Sequence, residues 1–184
     1  MMARVRDKPL SDMGFRGMSF LFTIRDAIRP RKNLLTEVGI EKGHHVLDFG
    51  CGPGGYTMVV SEMIGPGGKV YALDIHPLAI EKVRSRALNK GLKNIETILS
   101  DQKTFLDDES VDVVLLYDVF HMLGDPEGVL KEIHRVMKPN GILSMNDHHM
   151  KDGELVTRME GIGLFKLERK GEHTYTFSRV ARDD

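Results

Sequence analysis

The chain has little of what a disulfide-stapled, membrane-spanning or polyanion-binding protein needs. Cys51 is its single cysteine, which excludes an internal disulfide framework and a zinc site built on several thiolates. No run of about 18 apolar residues exists to span a bilayer. Neither sign of charge dominates: 26 Lys plus Arg face 27 Asp plus Glu, so no overall positive field advertises a nucleic-acid partner. Residues 1–10 alternate charges and carry no apolar signal core, the pattern of a cytoplasmic rather than an exported chain. Repeats and low-complexity tracts are missing too. The remaining balance, 41% hydrophobic and 29% charged, is that of a globular domain, not a disordered tail or a rod. A domain of this size buries roughly 68–70% of its unfolded surface and needs no staples. The partner expected is a small molecule, without membrane or nucleic acid; composition leaves a homo-oligomer open.

What is present is an alternation of strand and helix. Residues 46–49 form a short apolar run ending in glycines, a first strand. Val59, Val60, Met63 and Ile64 follow at helical spacing until Gly65-Pro66-Gly67-Gly68 stops them. Residues 70–73 give a second strand ending at Asp74, and residues 77–90 a helix with Pro77 in its first turn and Gly91 just past its end. Residues 95–99 and 111–117 read as strands three and four. Asp125-Pro126 is an N-cap followed by proline, opening a helix striped by Val129, Leu130, Ile133, Val136 and Met137. Residues 138–141 read as a turn and 142–145 as strand five. The alternation of Phe165-Lys166-Leu167 and Tyr175-Thr176-Phe177 predicts a closing antiparallel hairpin. The fold class is therefore α/β: a doubly wound, mostly parallel sheet of about seven strands built from right-handed βαβ units. Residues 40–184 form one globular unit. Residues 1–39 form a helical lid or cap, in which Phe15, Phe20, Phe22, Met13 and Met18 supply an apolar wall.

The informative segment is Asp48-Phe49-Gly50-Cys51-Gly52-Pro53-Gly54-Gly55. Its glycines let a ligand lie against main-chain N–H groups at the start of a helix. Gly50, Gly52 and Gly55 also fit the dinucleotide pattern, and Asp74 suits any ribose, so these features serve hydride and methyl transfer alike. Three others choose. Asp48 is a poor neighbour for a pyrophosphate and a good one for an ammonium group. Pro53 interrupts the tight helix entry that a pyrophosphate needs. Asp101, after strand three, can accept from an adenine amino group. Acids at three successive strand ends suit a ligand with an α-amino group, a ribose and an adenine but no phosphate, namely S-adenosylmethionine.

On these residues the chain resembles the class I, Rossmann-like methyltransferases that use S-adenosylmethionine, in the small-molecule branch that includes quinone-biosynthesis enzymes. The likeness runs over about residues 40–147 and rests on Val46-Leu47-Asp48-Phe49-Gly50-Cys51-Gly52-Pro53-Gly54, on Val70-Tyr71-Ala72-Leu73-Asp74, and on residues 130–141. It implies that Gly50 and Gly52, within the motif that Gly54 ends, carry the methionyl part and that Asp74 holds the ribose. It further implies Asp101 and Gln102 at the adenine, Ile75 packed on its ring, and Tyr117 along the methionine. Unlike many relatives, the chain has no long recognition insertion. It also lacks the Asn/Asp-Pro-Pro-Tyr/Phe signature of nucleobase amino methylation and the several thiols of arsenite methyltransferases.

Beyond strands four and five, Asp118, His121 and His148 are the candidate catalytic or substrate-contact groups, within a cluster that also holds Asn146, Asp147 and His149. A metal held by Asp118, Asp147 and a histidine is weighed and set aside, so no metal is expected. The expected activity is methyl transfer to a small or medium acceptor. The alternatives are a non-catalytic cofactor-binding scaffold and an NAD(P)-dependent oxidoreductase.

Overall fold

The computed structural model describes residues 11–14 and 31–181. Most of the segment expected as a lid, including Phe15, Met18, Phe20 and Phe22, lies outside the described residues. In chain order the elements are α1 (Arg31–Thr36), β1 (His45–Phe49), α2 (Gly55–Ile64), β2 (Lys69–Asp74), α3 (Pro77–Lys90), β3 (Ile95–Leu99) and β4 (Val111–Tyr117). A 3-10 turn (Phe120–Met122), α4 (Pro126–Val136), β5 (Met137–Asn146), α5 (Asp152–Gly161), β6 (Phe165–Lys170) and β7 (Tyr175–Arg179) complete them.

The strands form one sheet in the order β3-β2-β1-β4-β5-β7-β6. Strands β1 to β5 are parallel, whereas β7 runs antiparallel to both β5 and β6. Strand β4 shows why the central strands are continuous apolar runs. Its Val114 and Leu116 pack with Leu130 and Ile133 of α4 and Leu155 and Met159 of α5, while Val113, Leu115 and Tyr117 face Leu35, Val60 and Ile64 on the opposite side. A strand covered on both faces has no polar face to show.

The helix ends follow the local chemistry read from the sequence. Asp125 accepts from the Gly128 N–H at 3.0 Å to cap α4, and Gly91 closes α3 at φ +67°. Two features differ from expectation. Residues 138–141, expected as a turn, lie within β5: Val111 pairs with Met137 and Val113 with Ile142, so β5 advances five residues while β4 advances two. The turn is real as a bulge, but the ladder resumes on both sides of it. Helix α5 was not anticipated; its signal was Leu155 and Met159, four apart and almost fully buried.

Because β1 to β5 run in one direction, their carboxyl ends share one edge. That edge brings Asp48, Asp74, Tyr117 and Asn146 to the same side of the sheet, where open α/β sheets bind ligands.

Candidate active site

The glycine loop is fixed by backbone geometry. Gly50, Gly52 and Gly54 have φ of +79°, +51° and +79°, the left-handed region in which a Cβ is strained. The Gly50 and Cys51 N–H groups both donate to the Leu73 carbonyl, at 2.8 and 2.9 Å, stitching the loop to β2. A methyl group on Gly50 would collide with the Val119 side chain, and one on Gly54 would come within 2.8 Å of Val83. Around Gly52 the space is open. Arg86 of α3 donates to the Pro53 carbonyl at 2.7 Å, bracing the loop from outside. Helix α2 starts immediately after Gly54 with no side-chain cap, which leaves its first N–H groups for a ligand or water.

The acids are held by this framework. Asp74 accepts from the Gly52 N–H through one oxygen and from the His76 N–H through the other, both at 2.8 Å. Burial raises its pKa, and those two backbone bonds oppose the rise. Asp48 is buried and accepts from the Thr57 hydroxyl at 2.6 Å, two residues into α2. Asp101 is exposed. Gln102 donates to Asp125 at 3.3 Å, a contact allowed because position 128 is glycine. Ile75 is half-buried between Asp74 and His76. Tyr117 is buried at the end of β4, its hydroxyl 2.8 Å from Ser144 and its ring edge-on to Tyr56 at 4.8 Å. Burial pushes its phenol pKa well up, so it stays neutral. Burial likewise raises the Cys51 thiol, with Asp48 and Asp74 adding to the rise, so Cys51 is a filler rather than a nucleophile.

The other side of the edge, beyond β4 and β5, is built from side chains. His121, after β4, places Nδ1 at 2.9 Å from Asp147, after β5. His148, after β5, places Nδ1 at 2.7 Å from Asp118, after β4. The two pairs cross between the same two loops. Asp118 sits at φ +55° and is tied by its N–H to the Asn146 carbonyl at 2.7 Å. Asn146 in turn donates to the His173 carbonyl at 2.6 Å, drawing in the β6–β7 turn. Among the described residues the donors of Asp118 and Asp147 do not converge with a histidine on a metal position. The one convergent group there is Glu37, Glu172 and His173. Its Glu37 carboxylate is already engaged by the N–H groups of His173 and Thr174 and by the Thr174 hydroxyl.

A family described as methyltransferase domain matches residues 40–171, the span that holds the glycine loop, Asp48, Asp74, Asp101 and both histidine–aspartate pairs. The chain belongs to that family. A demethylmenaquinone methyltransferase of Geobacillus stearothermophilus is 32% identical over 126 residues, 68% of this chain and 54% of the relative. This chain thus spans about half the length of that relative. The solved structure of a S-adenosylmethionine-dependent methyltransferase from Aquifex aeolicus aligns with TM-score 0.74 at 26% identity, over 86% of this chain and 97% of that one. A structure from Methanococcus maripaludis covers 100% of this chain and 99% of its own at TM-score 0.79, and at 15% identity it speaks for the fold alone. By family and fold the chain carries a class I, Rossmann-like methyltransferase domain.

For such a methyltransferase, several supporting residues escaped the sequence reading. Thr57 holds Asp48, Arg86 holds the loop, and Val119 packs on Gly50. None belongs to a motif, since each acts through a neighbour brought up by the fold. Asp147 was visible only as a member of an acidic and histidine-rich cluster.

Proposed function

We propose that this chain transfers the sulfonium methyl of S-adenosylmethionine to a small or medium-sized acceptor. The observation that carries the reading is the loop of left-handed glycines whose Gly52 N–H is bonded to Asp74. This couples a ligand's methionyl and ribose contacts in one rigid unit. In this reading Gly50, Gly52 and Gly54 seat the methionyl chain, with Asp48 near its ammonium group and Tyr117 behind it. Asp74 takes the ribose hydroxyls, while Ile75, Asp101 and Gln102 border the adenine. Asp118, His121 and His148 belong to the acceptor side. The sulfonium already activates the methyl group, so in-line positioning and exclusion of water supply much of the acceleration.

The name of the Geobacillus relative supports a quinone-like acceptor as the finer choice. Of residues 1–39, the part ahead of α1 serves as the lid over that acceptor, since Leu35 and Val38 are buried in the core rather than over a pocket, and the setting is the cytoplasm. Among the described residues no helix is long and apolar enough to cross a membrane.

Calorimetry tests the cofactor choice: S-adenosylmethionine or its demethylated product binds, and NAD gives no comparable heat. Replacing Asp74 by Ala removes charge-assisted bonds worth roughly 1.5–3 kcal/mol each, so affinity falls at least about tenfold. Unchanged affinity in a folded variant would reduce Asp74 to a brace for the loop. Tight NAD binding with no response to either adenosyl ligand would overturn the reading altogether.

A further inference from the structure

The crossed histidine–aspartate pairs are not equivalent. In the inner pair the His121 side chain is 24% exposed and Asp147 only 1%; in the outer pair His148 is 57% exposed and Asp118 18%. We propose that His121 is the base that takes the proton of a phenolic or enolic hydroxyl acceptor, with Asp147 as its positioning residue. This deepens the methyl-transfer reading above and rests on it.

The geometry fixes the tautomer of the neutral ring. Asp147 accepts through one oxygen from both the backbone N–H of His121, at 3.0 Å, and its Nδ1, at 2.9 Å. Its other oxygen accepts from the His149 N–H at 3.1 Å. A carboxylate has no proton to give, so Nδ1 carries a proton, and in the neutral imidazole it is Nε2 that presents the lone pair. That Nε2 makes no hydrogen bond with any described residue. The ring of His149 lies against the imidazole at 4.3 Å, tilted by 38°, so the ring is held on one edge and one face. His134 shows what a structural histidine does in this molecule: it is buried in the core and its Nε2 is bonded to the Val180 carbonyl at 2.9 Å. Among the described residues the Nε2 of His121 instead has no such bond, on the turn beside the glycine loop. Val119, two residues earlier, packs on Gly50, which ties this turn to the glycine loop.

A fixed imidazole, in its neutral form, selects among acceptors. An amine attacks with its own lone pair and sheds a proton afterwards, so it needs no base at the moment of transfer. A hydroxyl is a weak nucleophile until its proton leaves. An imidazole is a reasonable match for a phenol or enol and too weak a base for an alkanol. In the step, Nε2 takes the hydroxyl proton as the oxygen attacks the methyl carbon. The oxygen–carbon bond forms and the sulfur–carbon bond breaks, its electron pair passing to sulfur and turning the sulfonium into a neutral thioether. The imidazolium keeps its Nδ1–H on Asp147 and later releases the proton to water.

The test uses the full chain, labelled S-adenosylmethionine and three probe acceptors. These are 2-naphthol, which must lose a proton; 4-nitrophenol, which is largely ionised in mildly alkaline buffer; and nicotinamide, whose ring nitrogen carries none. Naphthol should be methylated and nicotinamide should not. His121→Ala should lower kcat on 2-naphthol by about 10²-fold or more, the usual range for a lost general base. It should leave 4-nitrophenol much less affected, and added imidazole should restore part of the naphthol turnover. Asp147→Asn should show the same selectivity between the two acceptors, since an amide lets the imidazole proton move to Nε2. Cofactor affinity, read by calorimetry on the same variants, should hold and thereby report an intact fold. Equal losses on both phenols, failure of imidazole rescue, or transfer to nicotinamide alone would overturn the proposal. Failure of the underlying reading looks different: the unmodified chain would then give no heat with S-adenosylmethionine.

Discussion

The glycine-loop side and the histidine side of this sheet edge are made by different means. Around the glycine loop the determining bonds are backbone bonds: the Leu73 carbonyl holds Gly50 and Cys51, and Asp74 is held by N–H groups of Gly52 and His76. On the other side the determining bonds join side chains across 26 and 30 residues of sequence, from His121 to Asp147 and from Asp118 to His148. Backbone geometry admits few alternatives, so the glycine-loop side is suited to one ligand with little variation. Side-chain pairs on loops can be exchanged one residue at a time without disturbing the sheet. The same molecule therefore combines a rigid half and a replaceable half.

The sharpest way to break this contrast is Gly50→Ala. Left-handed strain costs about 1–3 kcal/mol and overpacking against Val119 about 1–3 kcal/mol more, so denaturant midpoints should report a loss of about 2–6 kcal/mol, with cofactor binding weakened. Adding Val119→Ala should recover the packing part alone. An unaltered midpoint in the single variant would show that the loop is not dictated by its backbone.

A smaller effect is expected beside the loop that follows β3. Glu132 accepts from the Thr104 N–H at 2.9 Å and the Thr104 hydroxyl at 2.6 Å, and pairs with Arg135 at 2.8 Å. Burial pushes its pKa up, but the bonds from Arg135 and Thr104 outweigh this and bring it from 4.5 to about 2. A lowered folded-state pKa means stability that is present above 4.5 and lost as pH falls towards about 2. Glu132→Gln should cost about 1.5–3 kcal/mol at neutral pH and lose less than the parent chain across that acid window, as measured by unfolding at both ends of it. The smallest effect belongs to the histidine side. His148→Ala breaks a half-exposed pair and should change stability by less than about 1 kcal/mol, a bound that thermal unfolding checks.

These differences also explain what the sequence made legible. Five parallel strands, the helix caps at Asp125 and Gly91, and the loop from Asp48 to Gly55 follow from short-range patterns, because each is enforced by residues adjacent in the chain. Helix α5 was missed because its apolar signal is only Leu155 and Met159 amid charged neighbours. The extent of β5 was misjudged because Pro139-Asn140-Gly141 has turn chemistry whether or not the ladder continues past it. The pairing of His121 with Asp147 rather than Asp118 depends on how two loops meet, and neither loop alone specifies it.

Strand β7 gives the sheet a schedule. It is made after β6 yet lies between β5 and β6, so until its residues emerge β5 has an unpaired rim and β6 has no neighbour in the sheet. The parallel core can assemble from β1 to β5 during synthesis, but its outer border stays adhesive until the last strand slides in antiparallel. Completion of the border thus acts as a closing stitch: a nascent chain halted before Tyr175 would carry the whole glycine loop and still expose an edge that invites other chains.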